Sequence, residues 1–302
     1  MEGRENTMRP LQEQTILITG STDGLGKRVA QDLAGQGATV LLHGRDPEKG
    51  KAVLKEIQAA SGNRRIKYYN ADLASLAAVG RLAQRIIKDH KQLDVLVNNA
   101  GVGPRSPESR RELSADGYEL RFAVNYLSHV LLTHKLLPLI TRSAPARIIN
   151  VASRGQHPID FDDVMVQHDY DDLRAYRRSK LAQIMFTFDL AEELKGTSVT
   201  VNSLHPASLM NTKMGLGARY FSTTLTTVEQ GAEALEHLIT SADLEGVSGE
   251  YFNGKERSQA HEQAYDREAR RRLRELSEML TGLKTPRRRG QKDGSRGVMF
   301  DR

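Results

Sequence analysis

Cysteine is absent from this chain of 302 residues, and its absence excludes several kinds of chemistry. Without cysteine there is no disulfide framework, no thiolate nucleophile and no cysteine-based zinc site. The nine histidines show no spacing typical of metal ligands, so we predict no metal site. Because a chain without cysteine suits a reducing compartment, we expect a cytoplasmic protein.

Long apolar runs are also missing. No stretch approaches the roughly 18 apolar residues that a spanning helix needs. The chain begins with the polar residues M-E-G-R-E-N-T-M-R-P, which do not resemble a secretory signal. We therefore expect a soluble protein with no membrane span.

Positive charge is in excess, but mostly at one end of the chain. The formal net charge is +6, and residues 285–302 hold six Lys or Arg against two Asp. The rest of the chain carries too small an excess for a nucleic-acid-binding surface. We interpret residues 285–302 as a disordered basic tail and expect no nucleic-acid partner.

Apolar strand-like segments alternate with segments of helical periodicity between residues 14 and 284. Strands that are apolar on both faces predict a parallel sheet covered by helices on both sides. We predict a flexible N-terminus over 1–13 and one doubly wound α/β domain of the Rossmann type over 14–284. Seven parallel strands are predicted at Thr15–Thr19, Thr39–His43, Arg65–Asn70, Val95–Asn98, Arg147–Val151, Val199–Leu204 and Glu250–Asn253. Helices are predicted near Gly24–Leu33, Pro47–Ala60, Ser75–Lys91, Gly117–Ile140, Leu173–Leu194, Val228–Ser241 and Asp266–Leu280.

One segment, Ser208–Thr227, has no clear period. It follows the sixth predicted strand, and ligands of such sheets lie just beyond the carboxyl ends of the strands. We predict a mobile loop with a short helix that covers the substrate.

A glycine-rich turn, T-G-S-T-D-G-L-G, follows the first predicted strand. Glycine lets the backbone turn sharply and approach a pyrophosphate, which the N–H groups of the next helix stabilise. The spacing differs from the commoner G-x-G-x-x-G, and alone it is compatible with an ordinary strand-to-helix turn. With the later motifs it predicts a dinucleotide site that includes Gly20, Ser21, Thr22, Gly24, Leu25 and Gly26.

The second predicted strand ends in His43-Gly44-Arg45. An acidic residue about 20 positions beyond the glycine loop favours NAD, whereas an Arg accommodates the 2′-phosphate of NADP. A guanidinium group binds phosphate through a charge-assisted fork. We therefore predict NADP(H), with NAD(H) less favoured; the alternative is that Arg45 pairs on the surface with Asp46 or Glu48.

Two shorter motifs extend the predicted cofactor site. Asp72 follows the third strand and is predicted to accept from the adenine amino group, with Leu73 beside the ring; an isolated Asp-Leu is also typical of a helix N-cap. The run N-N-A-G ends the fourth strand, where small residues leave space for a cofactor and Asn side chains tie adjacent strands, although a plain turn is the alternative. From this run we assign Asn99, Ala100 and Gly101 to the cofactor site.

Tyr176 and Lys180 are four residues apart in a helical segment, so they lie on one face about one turn apart. Tyrosine can give or take the proton of a carbonyl/alcohol pair, but its usual pKa of about 10 leaves about 0.1% phenolate at pH 7. Lys180, with a positively charged nicotinamide, is expected to lower that pKa. Ser153 is expected to polarise the substrate oxygen. Asn125 is expected to hold a water between Lys180 and solvent, unless it is simply a polar helix residue.

Taken together, these motifs resemble the short-chain dehydrogenase/reductase family, and specifically its retinol dehydrogenase-like branch. The similarity covers nearly residues 14–283 and includes R-A-Y-R-R-S-K-L-A, V-T-V-N-S-L-H-P and R-R-L-R-E-L-S-E-M-L-T-G-L. The resemblance implies that Tyr176 is the acid/base and that Pro206 and Thr212 line the nicotinamide side. The chain departs from the family pattern at Ala152, where a second serine is common, and at Ala207, where Gly usually follows the proline. The implied catalytic tetrad is Asn125, Ser153, Tyr176 and Lys180, the last two also belonging to the cofactor site.

The sequence therefore predicts an NADP(H)-dependent oxidoreductase acting on a small-molecule carbonyl or alcohol. The resemblance and the Met, Leu, Tyr and Phe content of Ser208–Phe221 favour a lipophilic substrate. The alternative is a non-catalytic NADP-binding regulatory or interaction protein, against which the complete tetrad argues. Chains of this fold usually pair through two long helices, here Gly117–Ile140 and Leu173–Leu194, so we expect a homodimer.

Overall fold

Buried strands rich in Val, Ile and Leu form the centre of the molecule. The computed structural model describes residues 7–106, 108–208, 210 and 226–283. All residues of the first, fourth and fifth strands are buried, as expected for strands covered on both faces. The strands are β1 Thr15–Ile18, β2 Thr39–Gly44, β3 Ile66–Asn70, β4 Val95–Asn98, β5 Ala146–Val151, β6 Val199–His205, β7 Tyr251–Asn253 and β8 Glu256–Ser258.

The sheet has the strand order β3-β2-β1-β4-β5-β6-β7-β8. Strands β1 to β7 are parallel, and β8 is antiparallel to β7. The predicted number of seven strands was therefore one too few, because the prediction did not include the edge strand β8. It was missed because β8 is three polar, exposed residues that follow a tight turn, in which Gly254 has a φ of +63°.

Helices cover both faces of the sheet. In β1, Ile16 and Ile18 belong to the hydrophobic cluster on one face of the sheet, whereas Leu17 belongs to the cluster on the other face. This alternation follows from the two-residue period of a strand, and it confirms the predicted doubly wound α/β fold. The helices are α1 Gly24–Gly35, α2 Pro47–Ser61, α3 Leu76–Asp89, α4 Leu120–Phe122, α5 Ser128–Ser143, α6 Asp172–Glu193, α7 Val228–Thr240 and α8 Arg267–Thr281. A π-helical turn, Ala123–Leu127, joins α4 to α5.

The C-terminal helix α8 packs on α6 and on the π-helical turn. Arg274 Nη1 lies 2.6 Å from Asp189 Oδ2, and Tyr126 Oη lies 2.7 Å from Ser277 Oγ. Leu273 is buried in the core that α5 and α6 share. Among the described residues, no large apolar side chain of α5 or α6 is exposed. The predicted pairing of two chains through these two helices stays a prediction.

The described part of the N-terminus also contacts the domain. The Arg9 guanidinium pairs with buried Asp94 and donates to Ser143 O at 2.7 Å, and Met8 N donates to Glu245 Oε1 at 3.2 Å. Residues 8–13 are thus held more closely than a flexible N-terminus over 1–13 implies, because a buried carboxylate provides a partner. The predicted tail at 285–302 and most of the predicted loop Ser208–Thr227 lie outside the described residues. No helix in the described ranges is long and apolar enough to cross a membrane.

Candidate active site

The candidate site lies at the carboxyl ends of β1 and β4, where the strand order reverses. In open α/β sheets this reversal opens a crevice in which ligands bind. Here the glycine-rich turn after β1 meets the N-N-A-G run after β4: Asn99 Nδ2 donates to Thr19 O at 2.8 Å. Two motifs that are far apart in sequence therefore form one loop cluster.

The glycine-rich turn leaves no room for side chains at two positions. Gly20 has a φ of +67°, and a Cβ there would lie 2.8 Å from Ala100 Cα. A Cβ on Gly26 would lie 2.5 Å from Asn99 Nδ2 and 2.6 Å from Gly20 O. Gly24 begins α1 after the N-cap Asp23, while Leu25 is buried in the core. A bare backbone in front of a helix N-terminus fits a pyrophosphate group.

His43 supports the glycine-rich turn from the end of β2. Its Nδ1 accepts from Gly20 N at 3.1 Å, and its Nε2 lies 3.2 Å from Ala71 O. Burial lowers the pKa of His43 to about 4, so the ring is neutral and Nδ1 can accept. The Ser21 hydroxyl, predicted to bind cofactor, accepts from His43 N at 2.9 Å and so also has a structural role.

Arg45 is exposed at the end of β2 and has no ion-pair partner among the described residues. Its two proposed surface partners are engaged elsewhere. Asp46 caps α2 by accepting from Glu48 N and Lys49 N, and the Glu48 carboxylate pairs with Lys51. The alternative of a surface pair is therefore not formed, and the guanidinium group is free for a phosphate.

Thr22 lies beside the end of β2, the strand that Arg45 follows. A Cβ on Gly44 would lie 2.7 Å from Thr22 Oγ1, so the two residues are in close contact. Glycine at this position also means that no carboxylate ends the strand where one would repel a 2′-phosphate. The residues present thus fit NADP better than NAD.

Asp72 and Leu73 differ in part from their predicted roles. Asp72 is exposed, and its Oδ1 accepts from Ala74 N at 3.0 Å, which closes a turn. The N-cap of α3 is Ser75, so the helix-cap alternative for Asp72 was wrong. Leu73 is 4% exposed and belongs to the core, where its side chain supports the site from below.

The four predicted catalytic residues come from three neighbouring elements. Ser153 follows β5, Tyr176 and Lys180 lie on successive turns of α6, and Asn125 lies in the π-helical turn. The Ser153 hydroxyl is close enough to Tyr176 to lower the pKa of the phenol, and Lys180 Nζ lies 5.8 Å from the centroid of the Tyr176 ring. The arrangement places a hydroxyl donor, a phenol and an amine around one point.

Burial changes the charge states of this pair. It raises the pKa of Tyr176 above its usual value, and the hydrogen bond from Ser153 offsets this only in part. It also lowers the pKa of Lys180 to about 7. Burial is thus the largest cause of both shifts. The expectation that Lys180, together with a positively charged nicotinamide, lowers the pKa of Tyr176 stays a prediction.

Asn125 clamps the chain after β4 to α6. Its Oδ1 accepts from Val102 N at 2.7 Å, and its Nδ2 donates to Val102 O at 3.1 Å and to Ser179 Oγ at 2.9 Å. The π-helical turn, of a kind often found at functional sites, lets this amide reach both segments. The predicted water between Lys180 and solvent stays a prediction.

Two buried residues that the sequence analysis missed, Gln183 and His129, form a chain of hydrogen bonds that ends at the lysine. Lys180 Nζ donates to Val151 O and to Gln183 Oε1, both at 2.8 Å, and Gln183 Nε2 lies 2.9 Å from His129 Nδ1. Spacing contained a weak signal, since Gln183 is three residues after Lys180 and His129 is four after Asn125.

The far side of the site follows β6. Pro206 is buried there, and Thr212 lies outside the described residues. The methyl of Ala207, one of the departures from the family pattern, lies 3.6 Å from where a Cβ of Gly231 in α7 would be, which is an ordinary contact. No group of three or more His, Cys, Asp or Glu in the described ranges is arranged to hold a metal ion.

Comparison with known proteins gives consistent results. The family model for short chain dehydrogenases matches residues 14–219. Human retinol dehydrogenase 13 is 38% identical over 289 residues, which is 90% of this chain and 86% of that protein. Human retinol dehydrogenase 11 is 38% identical over 281 residues, covering 90% of this chain and 87% of the relative.

Solved structures with the same fold include two bound to nicotinamide cofactors. A short chain dehydrogenase from Shigella flexneri in complex with NADP has a TM-score of 0.66 at 27% identity, covering 83% of this chain and 100% of its own. One from Escherichia coli in complex with NADPH has a TM-score of 0.67 at 26% identity, covering 84% and 100%. A protein from Mycobacterium paratuberculosis reaches a TM-score of 0.75 at 27% identity, covering 92% and 97%.

Proposed function

Because this chain belongs to the short-chain dehydrogenase family of oxidoreductases, we propose that it transfers a hydride between NADP(H) and a small-molecule carbonyl or alcohol. The observation that carries the proposal is the convergence of Ser153, Tyr176 and Lys180. Ser153 follows β5 at the same carboxyl edge of the sheet at which the glycine-rich turn follows β1. A protein that only bound the cofactor would not need these three groups together.

The proposed cofactor is NADP(H) rather than NAD(H). The backbone around Gly20 and Gly26, with the N-terminus of α1, would hold the pyrophosphate, and Arg45 and Thr22 would hold the 2′-phosphate. The partner-free Arg45 and the NADP-bound relatives of known structure support this choice. When bound, the cofactor supplies or accepts the hydride.

The proposed roles of the side chains follow from their chemistry. Tyr176 gives its proton to the substrate oxygen during reduction and takes it back during oxidation. Ser153 donates a hydrogen bond to that oxygen, which stabilises the developing negative charge. Lys180, when charged, favours the phenolate of Tyr176. Asn125 is proposed to hold the water that connects Lys180 with solvent.

The proposed substrate is lipophilic. Relatives that carry the name retinol dehydrogenase, and the apolar content of Ser208–Phe221, support this choice. A cytoplasmic location, the domain over 14–284 and the basic tail over 285–302 stay predictions from composition and periodicity. A homodimer through α5 and α6 also stays a prediction.

Turnover with a panel of carbonyl compounds tests the proposal. The full-length chain is mixed with NADPH and with lipophilic and hydrophilic aldehydes and ketones, and NADPH consumption is followed by absorbance. We expect turnover with a lipophilic member, and Tyr176→Phe should reduce it about 100-fold or more without changing NADPH affinity. NADPH binding without turnover of any compound would instead favour the non-catalytic alternative.

A further inference from the structure

Lys180 is enclosed by protein. It is 3% exposed, and its ammonium donates to two oxygens, Val151 O and Gln183 Oε1, each at 2.8 Å. Val151 O is a backbone carbonyl, which any residue at that position would provide. Gln183 Oε1 belongs to a side chain, so this contact depends on the residue type, and Gln183 is 1% exposed. A buried ammonium group depends on such oxygens, because they replace the water it has lost.

His129 determines which end of the Gln183 amide faces the lysine. Gln183 Nε2 carries only donor hydrogens, so His129 Nδ1, 2.9 Å away, must accept. Burial lowers the pKa of His129 to about 3, so the ring is neutral and Nδ1 keeps its lone pair. If the amide turned over, its NH₂ group would point at the ammonium, and its oxygen would face the lone pair of His129 Nδ1. The neutral histidine therefore keeps the oxygen directed toward Lys180.

Other charged or titratable groups around Lys180 do not replace this contact. The pKa of Lys180 responds to burial and to no carboxylate of the described residues. Lys180 is close enough to lower the pKa values of His129 and His205, and Arg154 also acts on His205. The groups that interact with it are Tyr176 on α6, His129 on α5 and His205 at the end of β6, and Arg154, which follows β5, acts on His205.

We propose that Gln183 and His129 are positioning residues for the reaction at Tyr176: His129 orients the Gln183 amide, and the amide oxygen holds the Lys180 ammonium in place and keeps it charged. The proposal rests on the function proposed above. Neither residue contacts the reacting atoms. Both act through Lys180, whose charge is what favours the phenolate form of Tyr176.

Direct titration of Lys180 tests this in the cofactor-free, full-length chain. The protein is labelled with ¹³C-lysine, and the Lys180 signal is identified by its absence in Lys180→Met. The wild-type midpoint is expected near pH 7. Gln183→Met, which keeps the side-chain length but removes the acceptor, should lower this midpoint by about one pH unit. His129→Leu should lower it less, and the double variant should match Gln183→Met, because His129 acts only through the amide.

Thr187→Val is the matched control. Thr187 lies one turn beyond Gln183 on α6, is also buried, and accepts from Asn150 Nδ2 at 2.9 Å. Its hydroxyl donates to the backbone Gln183 O at 2.8 Å and does not contact the side-chain amide. Its loss should reduce the melting temperature, as a structural defect does, while leaving the Lys180 midpoint unchanged. Equal midpoints in wild type and Gln183→Met, or the same shift in Thr187→Val, would overturn the proposal.

The pH dependence of alcohol oxidation provides a second readout. In Gln183→Met the kcat profile should move about one unit toward higher pH, because a less charged Lys180 stabilises the phenolate less, while KM changes little. An unmoved kcat profile would count against the proposal. If the wild type shows no turnover, the proposed function fails, and the lysine titration still decides whether Gln183 and His129 control Lys180.

Discussion

Gly26 and Gly35 lie in the same helix, α1, and substitution by alanine should have opposite effects at the two positions. A Cβ at Gly26 would lie 2.5 Å from Asn99 Nδ2 and 2.6 Å from Gly20 O, and the second of these atoms belongs to the backbone of the glycine-rich turn. The turn would have to move, and such overpacking costs about 1–3 kcal/mol. At exposed Gly35 a Cβ meets no atom within 4 Å, so Gly35→Ala should stabilise the helix by about 0.5–1 kcal/mol.

Thermal unfolding and cofactor titration measure both effects. A change of 1 kcal/mol corresponds to roughly 2 °C in a chain of this size. Gly35→Ala should therefore raise the melting temperature by about 1–2 °C and leave NADPH affinity unchanged. Gly26→Ala should lower the melting temperature by about 2–6 °C and weaken NADPH binding at least about tenfold, because the displaced turn no longer fits the pyrophosphate.

Normal NADPH affinity and a normal melting temperature in Gly26→Ala would refute this reasoning. The turn would then tolerate a side chain where the structure leaves no space for one. A loss of affinity in Gly35→Ala of the same size would also count against it, since the effect would not depend on contact with the turn.

Two further predictions concern the whole fold. The free energy of unfolding should fall when the pH is lowered from 7 to 5. Buried histidines that are neutral in the folded chain have pKa values below those in the unfolded chain, so the unfolded chain takes up protons first. His43 alone should contribute about 2 kcal/mol to this decrease. Glu236, whose pKa burial raises to about 7, has the opposite effect on stability, but it is a single group. Equal stability to urea at pH 7 and pH 5 would contradict the prediction. The histidines concerned are His43, His129, His134 and His205. Leu273→Asp, which places a charge in the buried contact of α8, should raise the mass measured by light scattering above that of wild type, because it exposes the apolar face that α8 covers; an unchanged mass would contradict the covering role of α8.

Motifs with fixed spacing made much of the fold and site predictable. The alternation of apolar strands and helices determines a doubly wound sheet, and the switch point then brings the glycine-rich turn beside N-N-A-G. Tyr176 and Lys180 were predicted on one helix face because both lie on α6, four residues apart. In these cases the information is local, or follows from the order of the strands.

Contacts between elements were not predictable in the same way. His43 supports the turn from β2, and His129 reaches Gln183 from α5 to α6; neither contact leaves a periodic pattern in the sequence. The pKa of Tyr176 was expected to fall because its charged neighbour was visible in the sequence, whereas the burial that raises it was not. The strand β8 escaped notice because it is short, polar and exposed.

Titration of the full-length chain with NADPH and with NADH, in wild type and in Arg45→Ala, tests the central claim most directly. Arg64→Ala is the matched control, because Arg64 is exposed and lies at the opposite, amino-terminal end of the neighbouring strand β3. We predict that wild type and Arg64→Ala bind NADPH more tightly than NADH. In Arg45→Ala, NADPH affinity should be about tenfold or more weaker, and NADH affinity should be unchanged. Equal binding of both cofactors, or binding of neither, would contradict the account.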